Sequence, residues 1–281
     1  MFEAILRRER ARFIPFVHDV IPLEHPEYAR PKGAALYRRK LATVMALASG
    51  ILVNSRATAR ALAPVLACAG RDPTPIHVSP LGALERAPDG ARPPDARDGR
   101  PYFVALGTIE PRKNHILLLH LWRRFAQTLG PEATPRLVLI GRRGWENEMV
   151  LDLLDRCPAL KTVVEEHGRL SDAAQRALVA GARAVLLPSF AEGYGLPVVE
   201  ALALGAPVIA SDLPALREAG GDAPDYIDPL DAIAWGEAIL DYAQPVSARR
   251  DAQLSRIWRW TAPTWDGHIR SALDFIGEVA K

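Results

Sequence analysis

Residues 184–204 have the sequence Ala184-Val-Leu-Leu-Pro-Ser-Phe-Ala-Glu-Gly-Tyr-Gly-Leu-Pro-Val-Val-Glu-Ala-Leu-Ala-Leu204. The apolar run 184–188 is typical of a buried strand, and Pro197 suits the first position of a helix that follows it. Between them, Gly193 and Gly195 let a ligand approach the main chain closely. The unpaired N–H groups and the positive dipole end of a helix start then favour a bound anion at this turn.

Two carboxylates flank this turn, Glu192 on the loop and Glu200 near the first turn of the helix. Glu200 can accept hydrogen bonds from ribose hydroxyls, and Glu192 can reach a sugar attached beyond the phosphates. The segment therefore favours a nucleotide-sugar site. Two plainer interpretations stay open, because a glutamate in a first helical turn is common for electrostatic reasons alone and Gly-Tyr-Gly also occurs in ordinary loops.

A second segment, Tyr102-Phe-Val-Ala-Leu-Gly-Thr-Ile-Glu-Pro-Arg-Lys-Asn114, predicts a phosphate pocket. It contains a strand that ends in Gly107, then a basic loop, and the helical pattern 116–129 follows. Arg112 offers a planar fork to phosphate oxygens and Lys113 a compact point charge, so together they can offset the charge of a diphosphate. Taken alone, the pair is equally consistent with solvated charge at a strand end.

Short apolar runs alternate with helical patterns along the chain, which predicts parallel sheets covered by helices on both faces. The predicted strands are 13–17, 50–54, 76–78, 102–107, 136–141, 162–166, 184–188, 206–210 and 225–228. The predicted helices are 37–48, 56–68, 116–129, 146–157, 172–180, 197–204 and 231–243. Ser171 is the expected N-cap of the helix that begins at 172.

Residues 86–100 are rich in proline, glycine and charge and lack periodicity, which predicts a linker between two domains. The predicted first domain is 1–85. The predicted second domain is 101–262, where a six-strand α/β pattern begins directly after the linker. A long surface loop within one domain is the weaker alternative.

Composition is consistent with a soluble enzyme: 281 residues, 49% hydrophobic, with a net charge of +2. The chain has no apolar run of about 18 residues, so we expect no membrane-spanning helix. We also expect no secretory signal, because residues 1–6 lead directly into a segment rich in arginine. The nearly balanced charge gives a nucleic-acid partner little support, and the arginines of 7–12 are most simply a solvated helix face.

The cysteine and histidine content argues against a metal site. Cys68 and Cys157 are too few for a disulfide framework or a metal cage, and the seven histidines show no ligand spacing. We expect two reduced, structural cysteines in a cytoplasmic protein without a structural metal.

Taken in order, these segments resemble glycosyltransferase family 4, the retaining, nucleotide-sugar-dependent enzymes with two Rossmann-like domains. The resemblance rests first on Gly107 with the Pro-Arg-Lys-Asn segment 111–114, and on the Glu192-x7-Glu200 pattern. It covers most of the chain, and an ordered series of matches is more specific than any one of them. The further matches are Val17–Pro22, Val53–Ser55, Gly205–Asp212, Glu218 with Gly220-Gly221, and Tyr226–Pro229.

The resemblance implies an α/β fold of GT-B type, with a complete C-terminal Rossmann-like domain that binds the donor and a partial N-terminal one. It also implies that a helix in 263–281 crosses back to the first domain. About 85 residues precede the linker, roughly half of a whole first domain in the family. We therefore expect a naturally shortened enzyme, a truncated sequence, or a piece completed by a partner. An exposed half sheet favours a homo-oligomer or a partner chain.

The implied reaction transfers a hexose, of mannose or rhamnose type, from a nucleoside-diphosphate sugar to a saccharide or lipid-linked acceptor in surface polysaccharide assembly. No cofactor or metal is expected, since no Asp-x-Asp motif lies at a strand end. The catalytic candidates are Glu192, Arg112, Lys113 and His18, although His18 is equally consistent with an ordinary loop histidine. The candidates for substrate binding are Gly107, Thr108, Asn114, Gly193, Tyr194, Gly195, Leu196, Val199 and Glu200.

Two other classes of protein stay open. One is a nucleotide-sugar-binding protein without catalytic activity. The other is a different enzyme on the same architecture, such as an epimerase or a phosphorylase-like protein. Acceptors of the implied kind also allow peripheral association with the inner face of the membrane.

Overall fold

The computed structural model describes residues 2–67, 74–83 and 99–281. By their internal contacts, these residues form two compact units. The first unit comprises Met1–Ala83, Glu192–Gly195 and Pro263–Lys281, and the second comprises Leu84–Ala191 and Leu196–Ala262. Cys68 and residues 86–98 of the predicted linker lie outside the described residues, and the predicted domain boundaries stay a prediction.

The first unit is built on a three-stranded parallel sheet. Its strands are β1 (Phe16–Val17), β2 (Ile51–Val53) and β3 (Ile76–Val78), in the order β1-β2-β3. Its helices are α1 (Phe2–Arg8), α2 (Ile21–Glu24), α3 (Gly33–Leu47), α4 (Arg56–Ala67) and a C-terminal helix, Trp265–Ala280. A 3₁₀ turn spans Pro26–Tyr28.

Alternate residues of β2 face opposite sides of this sheet, because successive side chains of a strand point in opposite directions. Ile51 and Val53 pack with buried residues of α3 and α4. Leu52 packs instead with Phe275 of the C-terminal helix. A Cβ at Gly50 would come within 2.8 Å of the Phe275 ring, so glycine there allows the C-terminal helix to lie close to the sheet.

The second unit contains a six-stranded parallel sheet in the order β6-β5-β4-β7-β8-β9. Its strands are β4 (Tyr102–Leu106), β5 (Arg136–Ile140), β6 (Val164–His167), β7 (Val185–Leu187), β8 (Val208–Ser211) and β9 (Asp225–Ile227). Within the unit this is the strand order 3-2-1-4-5-6 of a doubly wound Rossmann sheet. The strand order reverses between β4 and β7, where such sheets bind their ligands.

Helices and 3₁₀ turns connect these strands and pack on both faces of the sheet. The helices are α5 (His115–Leu129), α6 (Glu148–Arg156), α7 (Asp172–Gly181), α8 (Leu196–Ala203), α9 (Pro214–Gly220), α10 (Ala232–Ala243) and α11 (Ala248–Ile257). The 3₁₀ turns are Pro111–Lys113 and Pro158–Leu160. Phe103 of β4 packs in one core cluster with Trp122, and its neighbour Val104 packs in the cluster on the other face. In the part of the chain that the structure describes, no helix is long and apolar enough to cross a membrane.

The structure confirms the expected α/β class with two parallel sheets. Each of the nine predicted strands occurs, with ends shifted by a few residues. Ser171 is confirmed as an N-cap, since its side chain accepts a hydrogen bond from the N–H of Ala174 at 3.3 Å. Helix α3 begins at Gly33 rather than at Tyr37. Helices α9 and α11 were not predicted from the sequence, and the match at Glu218 with Gly220-Gly221 falls at the C-terminal end of α9.

Helix α11 was not predicted because its buried face combines a polar residue with apolar ones and so shows no clear apolar stripe. Its buried residues are Gln253 and Ile257. The Gln253 amide accepts a hydrogen bond from the N–H of Val208 at 3.0 Å and donates one to the Val208 carbonyl at 2.6 Å. Pairing between β8 and β9 begins only at Ile209, so Gln253 takes the place of a missing strand partner at Val208.

Replacing Gln253 with leucine should destabilise the second unit, because both main-chain groups of Val208 would stay buried without a partner. Each unsatisfied buried group costs about 1–3 kcal/mol, so we expect a loss of about 3 kcal/mol in the free energy of unfolding. The measurement is urea unfolding followed by circular dichroism. Ser255→Ala, an exposed change on the same helix, is the control. Equal stability of the two variants would refute this role for Gln253.

Candidate functional site

A cavity of about 580 Å³ lies at the carboxyl ends of β4, β5 and β6 in the second unit. Three of the residues singled out in the sequence line it together: Gly107 and Thr108 after β4, and Glu200 on α8. Two segments that are about 90 residues apart in sequence therefore converge on one cavity. The full lining is Leu106, Gly107, Thr108, Ile140, Gly141, Arg142, His167, Gly168, Arg169, Leu170, Gln175, Pro197 and Glu200.

Main-chain hydrogen bonds hold the ends of β4 and β5 together beside this cavity. The N–H of Gly107 donates to the carbonyl of Ile140 at 2.9 Å, and the N–H of Ile109 donates to that of Arg142 at 2.9 Å. Gly107 has a φ of +125°, which favours glycine. A Cβ at Gly141 would overlap the carbonyl oxygen of Gly107. Glycine at both positions thus permits the close approach that shapes the floor of the cavity.

Arg112 lies on the 3₁₀ turn after β4 and ties this turn to the end of β7. Its Nε lies 2.7 Å from Oε1 of Glu110, a nearly buried carboxylate, and its Nη1 donates to the carbonyl of Ala191 at 3.1 Å. The N–H of Phe190 donates to the carbonyl of Arg112 at 2.8 Å. The predicted basic loop is therefore joined directly to the segment that precedes Glu192.

Lys113 lies across Gly107. The position that a Cβ would take at Gly107 is 3.4 Å from Cε and 3.7 Å from Nζ of Lys113. Neither Arg112 nor Lys113 is among the residues that line the cavity, although Lys113 lies beside Gly107, which does.

Asn114 and His115 at the start of α5 are buried. Asn114 has a φ of +53°, and its side-chain amide donates to the carbonyl of Pro229 at 3.1 Å. This amide thus holds the loop after β9, and its predicted contact with substrate stays a prediction. Burial, with a smaller contribution from the Lys113 charge, lowers the pKa of His115 to about 4, so this histidine is neutral near pH 7.

Glu200 lies on α8 with its side chain partly buried. Burial raises the pKa of this carboxyl above its usual value, the positive charge of Arg176 opposes the shift, and Asp172 adds to it. Two other predicted residues of this segment do not line the cavity: Leu196 begins α8, and Val199 is fully buried.

The remaining predicted residues, His18 and the loop Glu192–Gly195, belong to the first unit. His18 is exposed and its ring centroid lies 4.7 Å from that of Phe16. A Cβ at Gly193 would overlap the carbonyl oxygen of His18, so close packing against this main chain requires glycine. The carbonyl of Gly193 accepts a hydrogen bond from Ser55 Oγ at 2.6 Å.

The other two residues of this loop have identifiable structural roles. The Tyr194 hydroxyl donates to the carbonyl of Leu81 at 2.8 Å, and Gly195 has a φ of +101°. The contacts of Glu192 and Gly193–Gly195 with a donor therefore stay predictions.

Four polar residues that line the cavity were not singled out from the sequence: Arg142, His167, Arg169 and Gln175. A signal for the first three was available, because they follow or end β5 and β6, and the carboxyl ends of parallel strands gather at one edge. Among the described residues, no group of three or more His, Cys, Asp or Glu side chains is placed to hold a metal ion. The expectation that no metal is needed stays a prediction.

A family model described as glycosyl transferases group 1 matches residues 91–242, which include the whole cavity. The chain belongs to this family. It is 38% identical over 167 residues to the O-antigen chain mannosyltransferase B of Escherichia coli. The matched region covers 59% of this chain and 42% of that protein. It is 28% identical over 247 residues to the serotype-specific mannosyltransferase WbdA of Escherichia coli. That matched region covers 82% of this chain and 29% of the relative. The chain thus spans less than half the length of these relatives.

A solved structure shows the same fold. An α,α-trehalose-phosphate synthase (UDP-forming) from Burkholderia xenovorans, in complex with glucose-6-phosphate, superposes with a TM-score of 0.71 at 13% identity. The match covers 100% of this chain and 70% of that one. This member of the group 1 family therefore has a fold of the GT-B type.

Gly141→Ala should destabilise the protein, because the new Cβ would force the ends of β4 and β5 apart. We expect a loss of about 3 kcal/mol in the free energy of unfolding, at the upper end of the cost of overpacking. The matched control is Gly168→Ala, also in the cavity lining, where a Cβ would meet nothing within 4 Å. Surface changes of that kind stay within about 0.5 kcal/mol. Calorimetric melting of both variants tests this, and a Gly141→Ala protein as stable as Gly168→Ala would contradict it.

Glu200→Gln should leave the ligand-free protein as stable at pH 7 or make it more stable. The folded state binds the Glu200 proton more tightly than the unfolded state, since the pKa of this carboxyl is raised in the fold. Ionisation above that pKa therefore costs stability, and glutamine removes the cost. Melting temperatures across pH should show the difference from wild type shrinking as pH falls through the raised pKa. Glu237→Gln, an exposed change on α10, is the control. A large loss of stability at pH 7 would mean that the carboxylate is structural.

Proposed function

We propose that this chain transfers a hexose, with mannose favoured, from a nucleoside-diphosphate sugar to a saccharide or lipid-linked acceptor in surface polysaccharide assembly. The observation that carries the proposal is the convergence of Gly107, Thr108 and Glu200 on one cavity at the carboxyl edge of the second sheet. The names of the relatives, two mannosyltransferases of Escherichia coli, support mannose as the sugar. The ordered motifs favour family 4 within the group.

The cavity offers the chemistry that a nucleoside diphosphate needs. Its volume of about 580 Å³ is within the usual range for small-molecule sites. Lys113, which lies across Gly107, supplies positive charge for the diphosphate. Glu200, on the opposite segment of the lining, would accept hydrogen bonds from the ribose hydroxyls. A partly buried carboxylate pairs well with hydroxyl donors, which restore part of the solvation that it lost.

In the proposed reaction the bond between the anomeric carbon and the diphosphate oxygen breaks, and the acceptor oxygen forms its bond on the same face of the sugar. The acceptor's proton passes to the departing diphosphate, so no separate general base is required. Arg112 and Lys113 would stabilise the developing negative charge. Preorganised donors of this kind typically contribute a few kcal/mol each to lowering the barrier. Glu192 would bind sugar hydroxyls, and His18 would contact the sugar near the reacting centre.

The protein's setting is also a proposal. A lipid-linked acceptor favours a cytoplasmic protein at the inner face of the membrane. Trp265, Ile269 and Leu273 are 42%, 52% and 60% exposed on the C-terminal helix, which supports association into a homo-oligomer or with a partner chain. Neither a metal nor another cofactor is assigned, since the protein's own cations would meet the diphosphate.

A panel of nucleoside diphosphates and their sugars, tested by thermal shift, would identify the donor. A ligand at 100 times its dissociation constant should add about 2.7 kcal/mol of stability. Lys113→Ala and Glu200→Ala should each reduce or abolish this shift, because they remove charge or hydrogen-bonding partners of the ligand. The matched controls are Arg124→Ala and Glu237→Ala, exposed residues of the same unit, which should respond like wild type.

Turnover then separates an enzyme from a binding protein. The stabilising nucleotide sugar is incubated with and without candidate acceptors, and free nucleoside diphosphate and the anomeric configuration of the product are measured. Release of nucleoside diphosphate with retention supports the transferase. If no nucleotide stabilises the wild-type protein, or if the site variants shift as much as their controls, the proposed site is wrong.

A further inference from the structure

The first unit contains a long segment without any carboxylate. Residues 28–71 include no aspartate or glutamate, although the whole chain carries only a small net charge of +2. Within this segment, residues 30–40 hold five cations: Arg30, Lys32, Arg38, Arg39 and Lys40. The sequence around α3 therefore carries positive charge without the carboxylates that accompany it elsewhere in the chain.

Helix α3 presents the last three of these cations on its solvent-facing side. Its opposite side is occupied by the first sheet, since Leu41 is buried and Tyr37 and Val44 pack against the same core. Arg38, Arg39 and Lys40 are all exposed. None of the three forms a salt bridge with a residue of the ranges that the structure describes.

The rest of this exposed side is small or apolar. Ala35, Ala42, Thr43 and Ala46 are exposed, and Leu36 is 48% exposed. Leu36 lies three and four residues before Arg39 and Lys40, so the three side chains share one helix surface. Short side chains let the helix lie flat on a membrane. The cations can then contact negative lipid headgroups, while Leu36 enters the boundary between the headgroups and the acyl chains.

Helix α1 also carries basic residues, but it differs from α3 because they are paired with nearby carboxylates. Arg7 pairs with Glu3 at 2.6 Å, and Arg8 pairs with Glu9 at 2.8 Å. Those positive charges are balanced within their own segment. The cations of α3 have no such local balance, so their field extends into solvent.

We infer that the exposed side of α3 docks on a bilayer that contains anionic phospholipid. A nucleic acid is the less suitable partner for this surface. Its residues between the cations are alanines, a threonine and a leucine, which neither stack on bases nor read their edges. The same residues suit the boundary of a membrane. The inference rests on the membrane setting proposed above and assigns it a specific surface, and it is tested without any substrate.

Co-sedimentation with vesicles tests this surface. The wild-type chain should bind vesicles of mixed phosphatidylglycerol and phosphatidylcholine, and should not bind phosphatidylcholine alone. Each basic residue near an anionic surface is worth roughly a factor of 5 in affinity, so Arg38→Gln/Arg39→Gln/Lys40→Gln should weaken binding on the order of 100-fold. Raising the salt from ~0.1 M to ~1 M should release the wild-type protein, since the screening length falls to about 3 Å.

Two further variants separate this surface from net charge and from misfolding. Arg124→Gln/Arg259→Gln/Lys281→Gln removes the same charge from exposed sites outside α3 and should bind like wild type. Arg38→Lys/Arg39→Lys keeps the charge and should also bind. Circular dichroism and the thermal shift with nucleotide check that each variant is folded, independently of vesicle binding.

The inference is overturned if wild-type protein fails to bind the mixed vesicles at low salt, or if the α3 variant and the charge-matched control lose binding equally. It is also overturned if duplex oligonucleotides bind with the same dependence on α3 and displace the vesicles. If the protein fails to bind vesicles but is still stabilised by nucleotide, only the membrane inference is lost. If it binds vesicles but no nucleotide stabilises it, only the transferase proposal is lost.

Discussion

The close approach of the carboxyl ends of β4 and β5 is the constraint on which the site depends. The N–H groups of Gly107 and Ile109 donate hydrogen bonds to carbonyls of the chain that ends β5. The carbonyl oxygen of Gly107 occupies the space that a side chain at Gly141 would need. This contact fixes the direction in which the chain leaves β4. It thereby sets the position of the turn that carries Arg112 and Lys113. The cavity is therefore a property of the sheet edge, and the charged residues are placed on it by the backbone.

An ion pair between the buried carboxylate of Glu110 and the partly exposed guanidinium of Arg112 extends this order to β7, where the order of the strands in the sheet reverses. Arg112 is held by Glu110 and donates to the carbonyl of Ala191, which connects the loop after β4 to the loop after β7. Breaking a buried pair leaves an uncompensated charge, which is costly, so the pair restricts the two loops to one arrangement. Within the pair the charges largely balance each other. Lys113 lies beside Gly107 instead, so the two adjacent cations face different surroundings.

Periodicity and turn chemistry were sufficient to predict the fold class, because most strands of both sheets are short apolar runs and most helices bury an apolar face. The exceptions have physical reasons. Helix α11 buries Gln253, which completes the hydrogen bonding of β8, and no apolar pattern marks a residue that pairs with main chain. Helix α9 has only seven residues, begins with Pro214, and ends at Gly220 with a second glycine after it, so its sequence has the composition of a turn. The polar side chains after β5 and β6 stand outside the motifs that match the family, so only their position at the carboxyl ends of parallel strands indicates them.

A residue of a sequence motif can be required by the fold or by the ligand, and the motif looks the same in both cases. Asn114 and Tyr194 stand in segments that match a nucleotide-sugar site, yet their polar atoms donate to carbonyls of Pro229 and Leu81. Buried carbonyls in loops need donors as strongly as a ligand does, so a polar residue in a loop motif has two sufficient explanations. Glu200 differs from both. Its carboxyl lines the cavity, and burial makes its charged form unfavourable in the ligand-free fold. Ionised Glu200 therefore lowers the stability of the ligand-free fold, and packing does not explain why a glutamate stands there. Among the residues of this segment, Glu200 is the strongest candidate for a role in binding.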